Sequence, residues 1–259
     1  MRRLVRGILS SLSGLLFPLG KLLCWRLVPY RSTDRLDRGL VLILPGIEGE
    51  SLLNQDIALG LVDAGIGLAI EIHDWTTGWF PLALFHLRSR ILHAKQSRVI
   101  ADRVVAYQHE FPGRPVHIVG HSGGGAMAVL ALEELPEDVA VTSVILLNAA
   151  ISPRHDLTRA LACVEGKVWS FRSCGDWFFL GLGTLLFGSV DGCHVICAGA
   201  GGFDRSNSSG SADRALTAGQ LREVPWRFEM AGSFHFAGHL GCVNRVFISE
   251  FVANVLAAG

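Results

Sequence analysis

Charge is scarce in this chain of 259 residues. Asp, Glu, Lys and Arg make up 18% of it, and 23 basic side chains are matched by 23 acidic ones. Without a cationic surplus there is no electrostatic footprint for nucleic acid, and none is expected as a partner. The 30 glycines follow no G-X-Y period, which excludes a collagen-like fibre. No internal repeat is present, and the one low-complexity patch, 206–211, reads as an exposed loop. Cysteine is also sparse. Cys24, Cys163, Cys174, Cys193, Cys197 and Cys242 sit mostly among apolar neighbours and read as buried free thiols. Cys193-His194-x-x-Cys197 has no second ligand pair at zinc-like spacing, so no metal is implied.

What is plentiful is apolar. Half of the residues are hydrophobic, enough to bury a sizeable core and to exclude an intrinsically disordered chain. The length suits one α/β domain.

Overall neutrality conceals an asymmetry. Arg2, Arg3, Arg6, Lys21, Arg26 and Arg31 crowd residues 1–31, which hold no acid; the rest carries 17 basic against 23 acidic residues, a net of −6. Between Arg6 and Lys21 lie 14 uncharged residues, fewer than the roughly 20 a spanning helix needs. On a helix, Leu4, Ile8, Leu12, Leu15, Leu19 and Leu22 share one face, with Arg3, Arg6, Ser10, Ser13 and Lys21 opposite. That pattern suits a helix lying in a membrane interface, its cations toward anionic headgroups, with Pro18 kinking or ending it. Two other readings stay open. One is a signal peptide or signal anchor, although no A-x-A site follows the apolar run. The other is a helix packed on the main domain. Peripheral membrane association is favoured, with an exported or cytoplasmic protein as the alternatives. The expected division is a cationic segment at 1–35 and a catalytic domain at 36–259.

The remaining chain alternates strands and helices. Leu40–Leu44 is an unbroken aliphatic run that ends at Pro45-Gly46, as a strand buried on both faces would. Residues 51–63 read as a helix with Ser51 as N-cap, 67–72 as a strand, and 95–110 as a helix stopped by Pro112-Gly113. Further strands are expected at 116–119, 141–147, 167–171 and 225–230, and helices at 126–135 and 244–258. This alternation implies an α/β fold: a mostly parallel central sheet with helices on both faces.

Gly120-His121-Ser122-Gly123-Gly124 is the only G-x-S-x-G in the chain, and it lies between a strand and a helix. A nucleophile elbow requires that setting, because the sharp turn brings backbones too close for Cβ atoms and lifts the serine to the sheet edge. A phosphate-binding P-loop is excluded, since no Gly-Lys-Ser/Thr follows. With Leu44-Pro45-Gly46 after an early strand, this elbow, a late Asp and a His before the last helix, the chain resembles the α/β-hydrolase fold over about residues 38–259.

That resemblance implies Ser, acid and His in this chain order. A serine hydroxyl needs an imidazole to take its proton, and the imidazole needs a carboxylate to fix its tautomer. Asp176, in the turn after the 167–171 strand, is the expected acid, with Asp191 as alternate. His239 is the expected base, with His235 as alternate. The amides of Gly123 and Ile47 are the expected oxyanion donors, and the neighbouring Glu48 is expected to turn away from that hole. Only about 18 residues separate the 141–147 and 167–171 strands, too few for a large cap domain. Apolar residues 178–187 are expected to wall the pocket.

These readings point to a serine hydrolase of carboxylic esters or thioesters. It would act on a small, apolar acyl substrate, touch a membrane surface through residues 1–31, and use no cofactor. The alternatives are an acyltransferase with the same triad, or a catalytically silent relative serving as a membrane-associated binding or scaffold module.

Overall fold

The computed structural model describes residues 1–23, 30–204 and 219–257. Its centre is a six-stranded, wholly parallel sheet in the order β2-β1-β3-β4-β5-β6. The strands are β1 (Leu40–Leu44), β2 (Ala69–Ile72), β3 (Val116–His121), β4 (Ser143–Leu147), β5 (Val168–Arg172) and β6 (Leu221–Pro225).

Period-two alternation assigns each strand to two cores at once. In β1, Leu40, Leu42 and Leu44 face one layer while Val41 and Ile43 face the other, and all five are fully buried. Helices α4 (Arg90–Glu110) and α5 (Gly123–Glu133) cover the first face through Ile100, Val104, Ala126 and Leu132. Helix α2 (Leu52–Asp63) and the terminal helical segments Arg245–Phe247, Ile248–Val252 and Ala253–Ala257 cover the second. Ser51 caps α2 through a capping box with Asn54. The strand order reverses between β1 and β3, so their carboxyl ends frame a crevice of the kind open α/β sheets use for ligands. The register Leu44↔Gly120 and His121↔Leu147 brings the loops after β1, β3 and β4 together there.

Three expectations need correction. The last strand lies at Leu221–Pro225 and not at 225–230; Phe228–Ser233 is instead a 3-10 turn. β6 is an edge strand carrying Arg222 and Glu223, so it lacks the continuous apolar run that marked the inner strands. Among the cysteines, Cys163, Cys197 and Cys242 are buried, but Cys174 and Cys193 are exposed. Cys24, Arg26 and the 206–211 patch lie outside the described residues.

The third correction concerns the amino-terminal helix, α1 (Arg2–Leu23), which runs on through Pro18. It packs on the body with its polar, small-residue face inward. Arg3 pairs with Glu250 and donates to the Gly232 carbonyl at 2.9 Å; Arg6 pairs with Asp63 at 3.0 Å. The Ser10 and Ser13 hydroxyls donate to Asp56 at 2.8 and 2.7 Å, and Asn244 donates to the Gly7 carbonyl at 3.0 Å. Gly7 sits so close to Phe234 that a Cβ would fall 2.1 Å from the ring. Arg3 and Arg6 therefore hold the helix to acids of the domain instead of facing headgroups, and the leucine face points outward. Among the described residues no helix is long and apolar enough to cross a membrane.

Candidate active site

Ser122 follows β3 directly and adopts φ 53°, ψ −118°, a conformation costly for a residue with a Cβ. Backbone hydrogen bonds hold it there. Its N–H donates to Leu147 at 2.9 Å, and its carbonyl accepts from Gly125 and Ala150 at 3.0 Å each. The glycines are obligatory by space. A Cβ on Gly120 would lie 2.4 Å from the Gly124 carbonyl oxygen, and one on Gly124 would lie 2.2 Å from that of Leu44. Ser122 thus stands at the amino end of α5, where Gly123 opens the helix with an amide that has no intrahelical acceptor.

Asp176 and His239, 63 residues apart, meet beside this turn. The His239 Nδ1–H donates to Asp176 Oδ2 at 2.5 Å, which leaves Nε2 with the free lone pair. Asp176 is buried and also accepts from the Asn148 side-chain amide at 3.0 Å. The loops that carry the two residues are tied together, for Ser173 Oγ donates to the Ala237 carbonyl. Burial alone would lower the His239 pKa; the Asp176 carboxylate and, to a lesser degree, Glu48 outweigh it, so the net displacement is upward. Next to it, His121 is forced down to about 3 by burial, so it stays neutral and donates from Nε2 to the His239 carbonyl at 3.3 Å. Ser122 and His239 line one cavity, although the serine hydroxyl makes no hydrogen bond to the imidazole among the described residues. Such contacts are often loose until substrate binds.

The loop after β1 supplies the second expected oxyanion donor. A Cβ on Gly123 would lie 3.4 Å from the Ile47 nitrogen, so the two amides are neighbours. Two side chains that the sequence reading did not single out for this task hold the loop. His86 Nδ1–H donates to the Ile47 carbonyl at 2.8 Å, while its Nε2 accepts from Thr77 Oγ1 at 2.7 Å. Trp75 Nε1–H donates to the Pro45 carbonyl at 2.7 Å. Both are fully buried, and they lie about 30 to 40 residues from the loop, so no local spacing reveals them. Asn148, the first residue beyond the carboxyl end of β4, was the more legible omission.

Glu48 does not swing out to solvent. It is 6% exposed and folds back on its own loop, accepting from the Gly46 amide at 3.2 Å and the Asn54 side chain at 3.4 Å. Burial raises its pKa, which disfavours a carboxylate facing an oxyanion.

The two alternates are placed elsewhere. His235 is buried against Phe247, ring centroids 4.7 Å apart, and burial pushes it down to about 4. Asp191 accepts from the Ser152 amide at 3.1 Å and pairs with His155 at 3.2 Å, so it serves a different imidazole.

The cavity beside Ser122 and His239 measures about 460 Å³. Its walls are almost wholly apolar, with Phe178, Leu182 and Leu186 on one side and Phe80, Leu84 and Leu87 on another.

No protein-family model and no curated protein matches this chain. Solved structures do match. A poly(3-hydroxybutyrate) depolymerase from Bordetella parapertussis superposes with a TM-score of 0.54 at 17% identity, over 89% of this chain and 84% of that one. A dienelactone hydrolase from Anabaena variabilis gives 0.52 at 19% identity, over 89% and 98%. The esterase PE8 gives 0.52 at 13%, over 90% and 99%. The chain has the α/β-hydrolase fold. Among the described residues the sheet carries no separate large cap, and one wall of the cavity is the short helical stretch at 178–187.

Proposed function

We propose that this protein is a serine hydrolase of carboxylic esters or thioesters. The observation that carries the reading is the 2.5 Å His239–Asp176 contact at the cavity that also exposes Ser122 in its strained turn. In the proposed reaction His239 Nε2 takes the hydroxyl proton as Ser122 Oγ bonds to the acyl carbon. The carbonyl oxygen becomes an oxyanion between the Ile47 and Gly123 amides. As the tetrahedral intermediate collapses, the C–O or C–S bond breaks and the leaving group takes the proton from His239. Water, deprotonated by the same imidazole, then releases the acid and restores Ser122. Asp176 holds the imidazole in one tautomer. The apolar cavity fits an acyl or aromatic group better than a sugar or phosphate. That the structural neighbours named above are a hydrolase, a depolymerase and an esterase agrees with this reading.

A silent binding module has no need for three reactive side chains drawn together from separate loops. Peripheral membrane attachment through residues 1–31 belongs to the proposal in altered form, with the exposed leucines as the contact and Arg3 and Arg6 paired to the domain. Fluorophosphonate labelling tests the enzyme reading: wild type should label, Ser122→Ala should not, and Asp176→Asn and His239→Ala should label far more slowly. Undiminished labelling of Ser122→Ala would place the nucleophile elsewhere.

A further inference from the structure

The outward face of α1 is apolar from Leu4 to Leu16. Leu9, Leu12, Leu15 and Leu16 are each about half exposed or more, with Leu15 at 71%. Soluble surfaces rarely leave such a stripe uncovered. Here the inward face is already satisfied by ion pairs and hydrogen bonds, so the helix cannot turn its leucines in without breaking them.

The stripe leads to the cavity. Phe17 and Pro18, further along α1, line it, and the Phe17 ring meets Phe80 edge-on at 5.8 Å. From Phe80 the rim passes through helix α3 (Ala83–Arg88), where Leu84 is half exposed, to the stretch at 178–187 packed beside it. There Phe178 and Leu186 are also half exposed and line the same cavity. The mouth above Ser122 is therefore set in one continuous apolar face.

Charge says what covers that face. The segments traced above, 1–23, 80–88 and 177–190, hold no acid, and Arg2 and Arg88 on them are exposed. Two copies of the chain meeting through this face would oppose cation to cation. An apolar face among cations, with no acid, matches an anionic lipid surface: leucines at the acyl boundary, basic residues at the headgroups.

We infer that this face docks on an anionic phospholipid bilayer, so that the cavity opens into the lipid and Ser122 acts on the acyl bond of a bilayer-resident ester. The second half of the inference rests on the hydrolase reading; the docking does not.

The test uses the full chain with two vesicle types, phosphatidylcholine alone and an equimolar mixture with phosphatidylglycerol. Wild type and Ser122→Ala should float equally with the mixed vesicles and less with phosphatidylcholine alone. Leu9→Asp/Leu15→Asp, at two positions outside the cavity lining, should lose flotation at least tenfold. It should hydrolyse a soluble short-chain ester as wild type does, yet cleave a long-chain diacylglycerol in vesicles at least tenfold more slowly. Unchanged melting would show that the double variant is folded. Independently, brominated lipid should quench a fluorescence component that disappears in Trp177→Phe, because Trp177 is 66% exposed beside the mouth. Undiminished flotation of the double variant overturns the docking. So does a wild-type dimer that this variant splits and that does not bind vesicles, which would make the face a copy-to-copy interface. Flotation as expected with full ester cleavage by Ser122→Ala would leave docking intact and overturn Ser122 as the nucleophile instead.

Discussion

His86 holds the carbonyl of Ile47 at 2.8 Å through its Nδ1–H, across 39 residues of sequence. Its other nitrogen accepts from Thr77, so the tautomer is fixed, and in the proposed mechanism His86 positions the loop whose Ile47 amide would meet the oxyanion. His86→Ala should lower kcat by about 10- to 100-fold with little change in KM, since a loosened donor acts on the transition state. His86→Asn, which can still donate to that carbonyl, should recover part of the loss. Equal falls in kcat and rise in KM for both variants would assign His86 a merely structural role.

Asp176 raises the His239 pKa, and in the proposed mechanism neutral imidazole is the form that accepts the serine proton. The acidic limb of kcat/KM should therefore lie above the ordinary imidazole value, with activity rising as pH rises through it. Asp176→Asn should move that limb down and cut kcat by about 1,000- to 10,000-fold, because the tautomer is no longer fixed. A pH–rate profile of both proteins checks the pair of effects.

Glu48 is buried and accepts from Gly46 and Asn54, so its expected role is to brace the loop. Glu48→Gln keeps an acceptor and should hold kcat within a few-fold of wild type. Glu48→Ala leaves the Gly46 amide and Asn54 without their partner and should lower the melting temperature, at a cost of about 1–3 kcal/mol. Steady-state kinetics and thermal denaturation of the two variants separate bracing from charge.

His155 sits between Glu133, at 2.8 Å, and Asp191, at 3.2 Å. Burial opposes its charge, but the two carboxylates prevail and raise its pKa to about 9. The folded pKa exceeds the unfolded one near 6.5, so this contribution to stability is complete below pH ~6.5 and is lost as pH rises through about 9. Its size is on the order of 3 kcal/mol. Urea unfolding of wild type should weaken across that window, and His155→Ala should flatten the slope.

The inner strands were legible because burial on both faces leaves unbroken aliphatic runs, as Leu40–Leu44 shows. The elbow was legible because steric crowding between β1, β3 and α5 leaves only glycine at 120 and 124. The half-exposed edge strand β6 gave no such run, and its place was misjudged by several residues. Amphipathicity identified α1 but not which face would be buried: serines, glycines and arginines found partners on Asp56, Asp63, Glu250 and Phe234, and no local pattern announces that. Likewise His86, Trp75 and Asn148 act through contacts far apart in sequence, so their part in the candidate site emerged only from the fold.

The central claim is that Ser122 is the attacking atom's residue. It is tested most directly by digesting fluorophosphonate-treated wild-type protein and locating the adduct by tandem mass spectrometry. The account expects a single stoichiometric adduct on Ser122, formed faster as His239 loses its proton. An adduct on any other residue, or none on a folded protein, would contradict it.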